Sequence, residues 1–526
     1  MAFVRAKRRG DKTYYYLVEG VREGDRVRQR VAQYLGTSAT VTKPGGRAVN
    51  VVSAVAYGAV NALHALCERL DLVGIVDRHS PKGGGPSLGK LFEAMVLNRC
   101  LDPVSKRRVP EWYERTALPL LLDLPGDRVT EDVLYRALDY FTPERVLKIE
   151  KDLHRHVKKR FNVDFARVFY DLTSTYFEGH ECPLAEYGYS RDHRSDRQQV
   201  NLAIAVNIDG VPITHEVLPG NTADVATVQD FVTRLHDHFD LNSPVVVVDR
   251  GMVSQPNLAH LERLDFDFIV GLRMDATLQR WVARQSHAKF AAAPPEHERY
   301  LAQDVKRGKG RRRILVLNTE MAKDDAAWRE NALQAAEAEL ATLDGGRRRP
   351  KTKNALLDKA RAILKRHKMK TLIQIGTGQR GIPRLSWERD AKAIQAAARL
   401  DGKYVLETTV DWSAGDVLAA YHQRDAVEKF IQAMKSIVEV RPVYVRTETH
   451  VRAHVFVCVT SVLLLSLLRK LLKDAGHEAS AVQALRRLDA VMQVVLEQAG
   501  RLKRVTTRTT PEQAELLTLV QASSSV

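Results

Sequence analysis

The sequence has little cysteine, and the four cysteines present are widely separated. Cys67, Cys100, Cys182 and Cys458 form no CxxC pair. Disulfide scaffolds and structural zinc sites both need cysteines at close, regular spacing. The pattern therefore argues against both, and it predicts a protein of a reducing cytoplasm.

Long hydrophobic runs are also missing. The first ten residues, Met1 to Gly10, are basic but lead into no apolar stretch, so they do not resemble a signal peptide. The longest apolar run, Val455 to Leu468, is interrupted by Cys, Thr and Ser and is too short to span a bilayer. We expect a buried helix there and no membrane partner.

Positive charge is abundant. Lys and Arg total 81 against 64 Asp and Glu, which gives a formal net charge of +17. An excess of Lys and Arg attracts polyanions, and nucleic acid is the commonest such partner. The alternative interpretation is a basic enzyme whose charges are simply solvated.

The chain of 526 residues is too long for one hydrophobic core, so several units are expected. Hydrophobic periodicity predicts an α/β protein whose sheet is interrupted and later resumed. Ser87, Thr130 and Thr142 are typical residues for helix starts, and Asp209-Gly210 is typical of a turn between two strands. The predicted regions are a basic β-hairpin at 1–52, a mainly helical region at 53–165, a mixed sheet at 166–274, an insertion at 275–400, the resumed sheet at 401–475, and C-terminal helices with a loose tail at 476–526.

The β-hairpin pattern at residues 11–36 mixes basic side chains with tyrosines. This composition suits a surface that contacts phosphates, but a solvated edge hairpin would have the same pattern. The residues alone favour neither interpretation.

Three acidic residues are placed where carboxylates are costly to bury. Asp171 and Asp249 follow apolar strand patterns, and Glu428 lies on a helix after the resumed sheet. Each alone could be a cap or an ion-paired residue. Together they offer hard oxygen ligands for Mg²⁺ or Mn²⁺.

The helix predicted around Glu428 has a distinctive edge. At helical spacing, Tyr421, Arg424, Glu428 and Lys435 fall within roughly 60° of one another. This edge would present a carboxylate beside an aromatic hydroxyl and two cations. The alternative is an ordinary surface helix with an Arg424–Glu428 salt bridge.

The spacing Tyr421-x2-Arg424-x3-Glu428-x6-Lys435 matches the signature of the IS4-type insertion-sequence DDE transposases. The segments YDLTSTYFEG, GYSRDHRSDRQQVNLAIAV, GNTADVATV and VVVDRGMVS resemble the IS1634 branch of that group. The second motif departs slightly from the family, because Arg250 stands between Asp249 and Gly251. The resemblance extends to about residue 475.

This resemblance implies an RNase H-like catalytic core at 166–274 and 401–475, interrupted by the insertion. Asp171, Asp249 and Glu428 would be the catalytic residues and the ligands of two Mg²⁺ ions, which Mn²⁺ could replace. Tyr421, Arg424 and Lys435 would hold phosphates of the transposon end.

The implied activity is metal-dependent cleavage and strand transfer. The implied partners are double-stranded DNA of the transposon ends and of the target, bound by a homodimer in the cytoplasm, at the nucleoid. Residues 53–165 would bind the ends, and we expect an N-terminal fragment of residues 1–160 to bind end DNA by itself.

Several alternatives remain from the sequence. The chain could be a structure-specific RNase H-like nuclease or a non-catalytic DNA-binding protein derived from a transposase. His450 and His454 have a zinc-compatible spacing but no third ligand, so we expect no zinc site. Trp281 and Trp412 could stack on a flipped base, although core packing is the more common role of a tryptophan.

Overall fold

The computed structural model describes residues 2–9, 12–23, 26–36, 40–41, 49–81, 83, 85–178, 181–285, 290–292, 299–307, 310–346, 350–378, 383–498 and 501–521. The chain forms two compact units. Unit 1 comprises Met1–Pro244 and Asp425–Val526, and unit 2 comprises Val245–Arg424.

Unit 1 begins with short antiparallel sheets. Strand β2 pairs with both β1 and β3, and the β2–β3 pair corresponds to the predicted hairpin. Of the predicted turn, Glu19 to Asp25, residues 19–23 belong to β2 instead, and residues 24–25 lie outside the described residues. A second sheet begins with β4 and β5. The strand bounds are β1 Ala2–Arg9, β2 Lys12–Glu23, β3 Arg26–Gly36, β4 Thr40–Val41 and β5 Val49–Ala56.

A helical segment follows, in which the predicted N-caps are present. The side chains of Ser87, Thr130 and Thr142 each accept a hydrogen bond from the backbone N–H three residues later. The helices are α1 Gly58–Leu70, α2 Leu72–Arg78, α3 Leu88–Leu101, α4 Val109–Glu114, α5 Leu118–Leu121, α6 Glu131–Asp139 and α7 Pro143–Phe161.

An antiparallel meander of three strands comes next in unit 1, formed by β6 Arg167–Tyr176, β7 Gln199–Val206 and β8 Pro212–Pro219. Every residue of β7 is buried. The predicted turn at Asp209-Gly210 joins β7 to β8, and Gly210 has a positive φ of 69°, which a glycine adopts without strain. Helix α8, Asp224–His238, follows β8.

Unit 2 contains a mixed sheet with strand order β11-β12-β13-β16-β10-β9. Strands β9 and β10 are parallel, and the remaining neighbours are antiparallel. The elements are β9 Val245–Val248, α9 Gln255–Arg263, β10 Asp267–Gly271, α10 Ala276–Ala283, β11 Ala291–Ala292, β12 Tyr300–Arg307, β13 Arg312–Asn318, α11 Thr319–Gly345, α12 Lys353–Arg366, β14 Ile373–Thr377, β15 Leu385–Arg389, α13 Ala391–Ala398, β16 Lys403–Thr408 and α14 Ala414–His422.

Part of the predicted insertion, residues 275–400, belongs to the sheet of unit 2. Strand β16, the predicted resumption of the sheet, pairs with both β10 and β13. Strands β11 to β13 therefore extend the sheet rather than leave it. The elements from α11 to α13 surround a separate apolar cluster that includes Leu340, Leu356 and Ile373.

The C-terminal part of unit 1 forms a strand over residues 501–506 and a helix over residues 511–521, so the predicted loose tail is wrong for these residues. Strand β17 pairs with β5, and α18 packs against α1 with Leu516 and Val520 buried. The elements are α15 Asp425–Ser436, α16 Glu448–Asp474, α17 Ala481–Leu488, β17 Met492–Gln498, β18 Arg501–Thr506 and α18 Pro511–Gln521.

Helix α16 contains the apolar run predicted to be a buried helix. Within the described residues it alone is long and apolar enough to cross a membrane, but 83% of its most apolar window is buried. It packs against α3, α6 and β8, as a core helix does.

Candidate active site

Asp249 lies at the end of the most apolar strand of unit 2. All four valines of β9 are buried, and Asp249 follows at the start of a short 3₁₀ turn, Arg250–Met252. One carboxylate oxygen, Oδ1, accepts a hydrogen bond from the Arg250 backbone N–H at 2.8 Å. The side chain remains 43% exposed, so its oxygens are accessible to a ligand.

Arg424 is the charged partner of Asp249. Its Nη1 donates to Asp249 Oδ1 at 2.6 Å, although the two residues are 175 positions apart in sequence. The same nitrogen lies 3.4 Å from the Tyr421 hydroxyl oxygen, and the guanidinium stacks over the Tyr421 ring. Unit 2 thus brings three of the six predicted site residues together.

Tyr421 is held in a confined position. Burial raises the pKa of its hydroxyl above the usual value, an effect that the nearby Arg424 guanidinium opposes. A Cβ added to Gly271, the last residue of β10, would lie 2.6 Å from the Tyr421 oxygen. Gly271 therefore makes room for Tyr421, although no motif in the sequence marks this glycine.

The single helix predicted to present all four signature residues is not formed. Helix α14 ends at His422, and the N–H of Gln423 closes its last turn by bonding to the carbonyls of Ala419 and Tyr421. Helix α15 starts at Asp425. An acidic first turn, with Asp425 and Glu428, suits the positive end of a new helix dipole. Tyr421 therefore lies on α14, Arg424 lies between the helices, and Glu428 lies on α15.

In unit 1, Asp171 lies within β6 rather than at its end. The strand continues to Tyr176, and Asp171 is opposite Ile204 of β7. Its side chain, partly exposed, accepts a hydrogen bond from the Leu172 N–H at 2.8 Å. Helix α15 packs against β6 and β7, and its Glu428 is exposed.

Lys435, also on α15, makes a buried ion pair. Its Nζ lies 2.8 Å from Oδ1 of Asp192, whose side chain is only 2% exposed. Arg441 contacts the same carboxylate oxygen. Asp192 and Arg441 were not predicted as site residues. The available signal was an acidic residue, Asp192, inside the basic segment from Arg191 to Arg197.

The remaining sequence candidates have structural partners. His450 bonds to Asp139 at 2.7 Å, and the buried His454 lies 3.2 Å from the Val440 carbonyl. Trp281 packs beside an apolar cluster containing Leu278 and Val282, whereas the side chain of Trp412 is 36% exposed. Packing is thus the observed role of Trp281.

The donor chemistry suits a hard divalent cation. Asp171, Asp249 and Glu428 are all at least partly exposed, and carboxylate oxygens are the ligands that Mg²⁺ and Mn²⁺ prefer. Across the part of the chain that the structure describes, no three His, Cys, Asp or Glu side chains form a group that could hold a metal. The fit of these residues to a divalent cation therefore rests on the chemistry and the exposure of the three carboxylates.

A comparison with family models matches the segment that contains all six predicted site residues. A family model described as a transposase DDE domain matches residues 167–464. A solved structure, the cryo-EM structure of the piggyBac transposase synaptic complex with hairpin DNA, is similar with a TM-score of 0.41 and 12% sequence identity, over 82% of this chain and 79% of that chain. The search of curated proteins gave no match.

Proposed function

Because the chain belongs to the transposase DDE domain family, whose model matches more than half of it, we propose that it binds the terminal inverted repeats of an insertion sequence and catalyses DNA cleavage and strand transfer. Phosphoryl transfer of this kind depends on positioned charges rather than on a covalent protein intermediate. The proposal assigns Asp171, Asp249 and Glu428 as the catalytic carboxylates.

The observation that supports this proposal most directly is the Asp249–Arg424–Tyr421 cluster. A carboxylate that follows an apolar strand contacts a guanidinium at 2.6 Å, and that guanidinium stacks on a tyrosine. A structural salt bridge would require only the two charges. The added aromatic hydroxyl and the accessible carboxylate are what a site for a metal-bound phosphodiester needs.

In the proposed mechanism, the three carboxylates would hold two Mg²⁺ ions, which Mn²⁺ could replace. The bound ions would lower the pKa of the attacking hydroxyl or water and neutralise charge on the leaving oxygen. Arg424 contributes a fixed positive charge beside Asp249, and Tyr421 contributes a hydroxyl that can bond to a phosphate oxygen. Lys435 would hold a further phosphate of the transposon end.

We also propose that the catalytic core is RNase H-like. Support comes from the element order: an antiparallel meander β6-β7-β8, a helix, and then the parallel pair β9 and β10. The segment 275–400 would be the family's insertion, although β11 to β13 extend the sheet. The spacing of Tyr421, Arg424, Glu428 and Lys435 supports the IS4-type group and its IS1634 branch.

The proposed partners are the transposon ends and target DNA, with a homodimer acting on both ends in the cytoplasm. End recognition is assigned to the N-terminal region, residues 1–165, which contains the basic strands β1 to β3. Excess positive charge over the whole chain supports binding to a polyanion.

The test is cleavage of a labelled transposon end by three amide variants. Asp171→Asn, Asp249→Asn and Glu428→Gln keep the size of each side chain but remove the charge that binds the metal ion. We expect each variant to cut at least about 100-fold more slowly, since changes to groups that merely support a metal ligand already cost about 10- to 100-fold. Binding to end DNA should persist.

A matched control is Asp230→Asn, an exposed position on α8. It should cut at the wild-type rate. An amide variant of the proposed triad that cuts as fast as this control would remove that residue from the catalytic set. Cleavage without joining to a second duplex would instead favour a structure-specific nuclease, and no metal-dependent cleavage by the wild type would favour a non-catalytic DNA-binding protein.

A further inference from the structure

Helix α12 and the turn after it have a large excess of positive charge. Between Pro350 and Lys370 the sequence has eight Lys or Arg residues and a single acidic residue, Asp358. This segment belongs to the predicted insertion, and no role in the proposed chemistry has been assigned to it.

The helix separates its apolar and basic residues. Leu356, Ala360 and Leu364 are buried against the cluster that α12 shares with α11 and β14. Lys359 and Lys365 are exposed on the helix, and Lys368 and Lys370 are exposed in the turn that follows it. We call these four residues the lysine face.

The neighbouring acidic residues do not neutralise the lysine face. Acidic side chains of α11 pair with arginines instead: Glu337 with Arg389 at 2.8 Å and Glu339 with Arg366 at 2.7 Å. Asp358 pairs with Arg361 at 3.0 Å. Within the described parts of the chain, none of the four lysines has an ion pair or a side-chain hydrogen bond.

A row of lysines suits one kind of ligand in particular. Lysine presents a flexible point charge, which fits the phosphates of a nucleic-acid backbone. Reading base edges would instead require Arg, Asn or Gln in a fixed geometry. A membrane-binding helix turns its apolar side to the lipid, but the apolar side of α12 is buried in the protein core.

We propose that the lysine face binds the sugar–phosphate backbone of double-stranded DNA without reading its sequence. The proposal rests on the proposed transposase function, since it adds a second DNA contact on the same protein. Lys359 and Lys365 are about 9 Å apart along the helix axis at 1.5 Å per residue, a distance that spans neighbouring phosphates of one DNA strand.

The experiment measures binding of the full chain to a random-sequence duplex at several NaCl concentrations. The test variant is the triple change Lys359→Gln, Lys365→Gln and Lys368→Gln. We expect the slope of log affinity against log salt to become shallower by about 2 to 3, because each lost phosphate contact removes about 0.9. Thermal unfolding should match the wild type, since the three side chains are exposed.

The control removes the same charge elsewhere, through Lys323→Gln, Lys392→Gln and Lys473→Gln, all exposed positions. Its slope should stay within about 0.5 of the wild type. Equal slopes for the two triple variants would overturn the proposal. Binding of both triple variants to vesicles of anionic lipid is also measured. If the test variant loses binding to these vesicles but not to DNA, the proposal is overturned as well.

Wild-type cleavage of a transposon end with Mg²⁺, measured in parallel, separates this proposal from the proposed function. A shallower slope for the test variant without any cleavage by the wild type would leave the lysine face as a DNA contact and remove the transposase activity. Normal cleavage by the wild type, together with equal slopes for the wild type and the test variant, would support the transposase activity and overturn the lysine face as a DNA contact.

Discussion

Asp192 shows how one residue can organise a charged site. Its carboxylate is nearly fully buried and contacts both Lys435 and Arg441 through Oδ1. The second oxygen, Oδ2, is buried, and no hydrogen-bond partner for it exists among the described residues. A buried carboxylate is tolerated here because two cations compensate its charge.

We predict that Asp192→Asn destabilises the protein. The amide preserves the shape of the side chain but leaves Lys435 and Arg441 without a compensating charge. The expected loss is about 3 kcal/mol, near the low end for a buried pair because Arg441 is partly exposed. Urea unfolding of the variant, beside Asp230→Asn as the control, measures this loss. Equal unfolding midpoints for the two variants would show that the cluster contributes no stability.

At the scale of elements, the end of strand β10 determines where helix α14 places its tyrosine. Gly271 lies next to the Tyr421 hydroxyl, and α14 packs against β10. In an ordinary strand position, replacing Gly with Ala would stabilise the protein by about 0.4–1 kcal/mol. The tight approach of Tyr421 reverses that expectation.

We predict that Gly271→Ala costs about 1–3 kcal/mol, because the new Cβ would lie 2.6 Å from the Tyr421 oxygen and one of the two elements must shift. Removing that oxygen with Tyr421→Phe should recover most of the loss in the double variant. A double-mutant cycle of unfolding free energies measures this coupling. Additive effects of the two changes would contradict the proposed steric contact.

At the scale of the whole molecule, the two ends of the chain belong to one folded unit. Strand β5 pairs with β17, and the backbone N–H of Gly58, at the start of α1, bonds to the Val491 carbonyl at 2.9 Å. A fragment of residues 1–160 would lack these partners. The N-terminal region therefore takes part of its packing from the C-terminal elements.

Truncation after Asp489 tests this arrangement. The truncated protein would lose β17, β18 and α18, and burial of Leu516 and Val520 alone contributes about 3–6 kcal/mol. We expect a markedly lower unfolding temperature or insoluble protein. The variant Asp230→Asn, at an exposed position of α8, is the control and should leave the unfolding temperature unchanged. Wild-type stability of the longer truncation would mean that the C-terminal elements are dispensable for unit 1.

Local sequence patterns were sufficient for several features of this protein. The run of valines before Asp249 predicted a buried strand because consecutive apolar residues are stable only when both faces are covered. Ser87, Thr130 and Thr142 predicted helix starts because a side-chain oxygen can satisfy a free N–H at a helix N-terminus. The spacing of the signature residues indicated a DDE transposase, and the family model shows the transposase DDE domain.

Tertiary structure alone decided which charges meet. Arg424 pairs with Asp249 across 175 positions, and Lys435 pairs with Asp192 across 243. Helical periodicity predicted Arg424 and Glu428 on one helix, but the helical structure is interrupted between α14 and α15. Periodicity records only which side of an element is apolar. The partner of a charged side chain depends on which elements the folded chain brings together, and that is a long-range property.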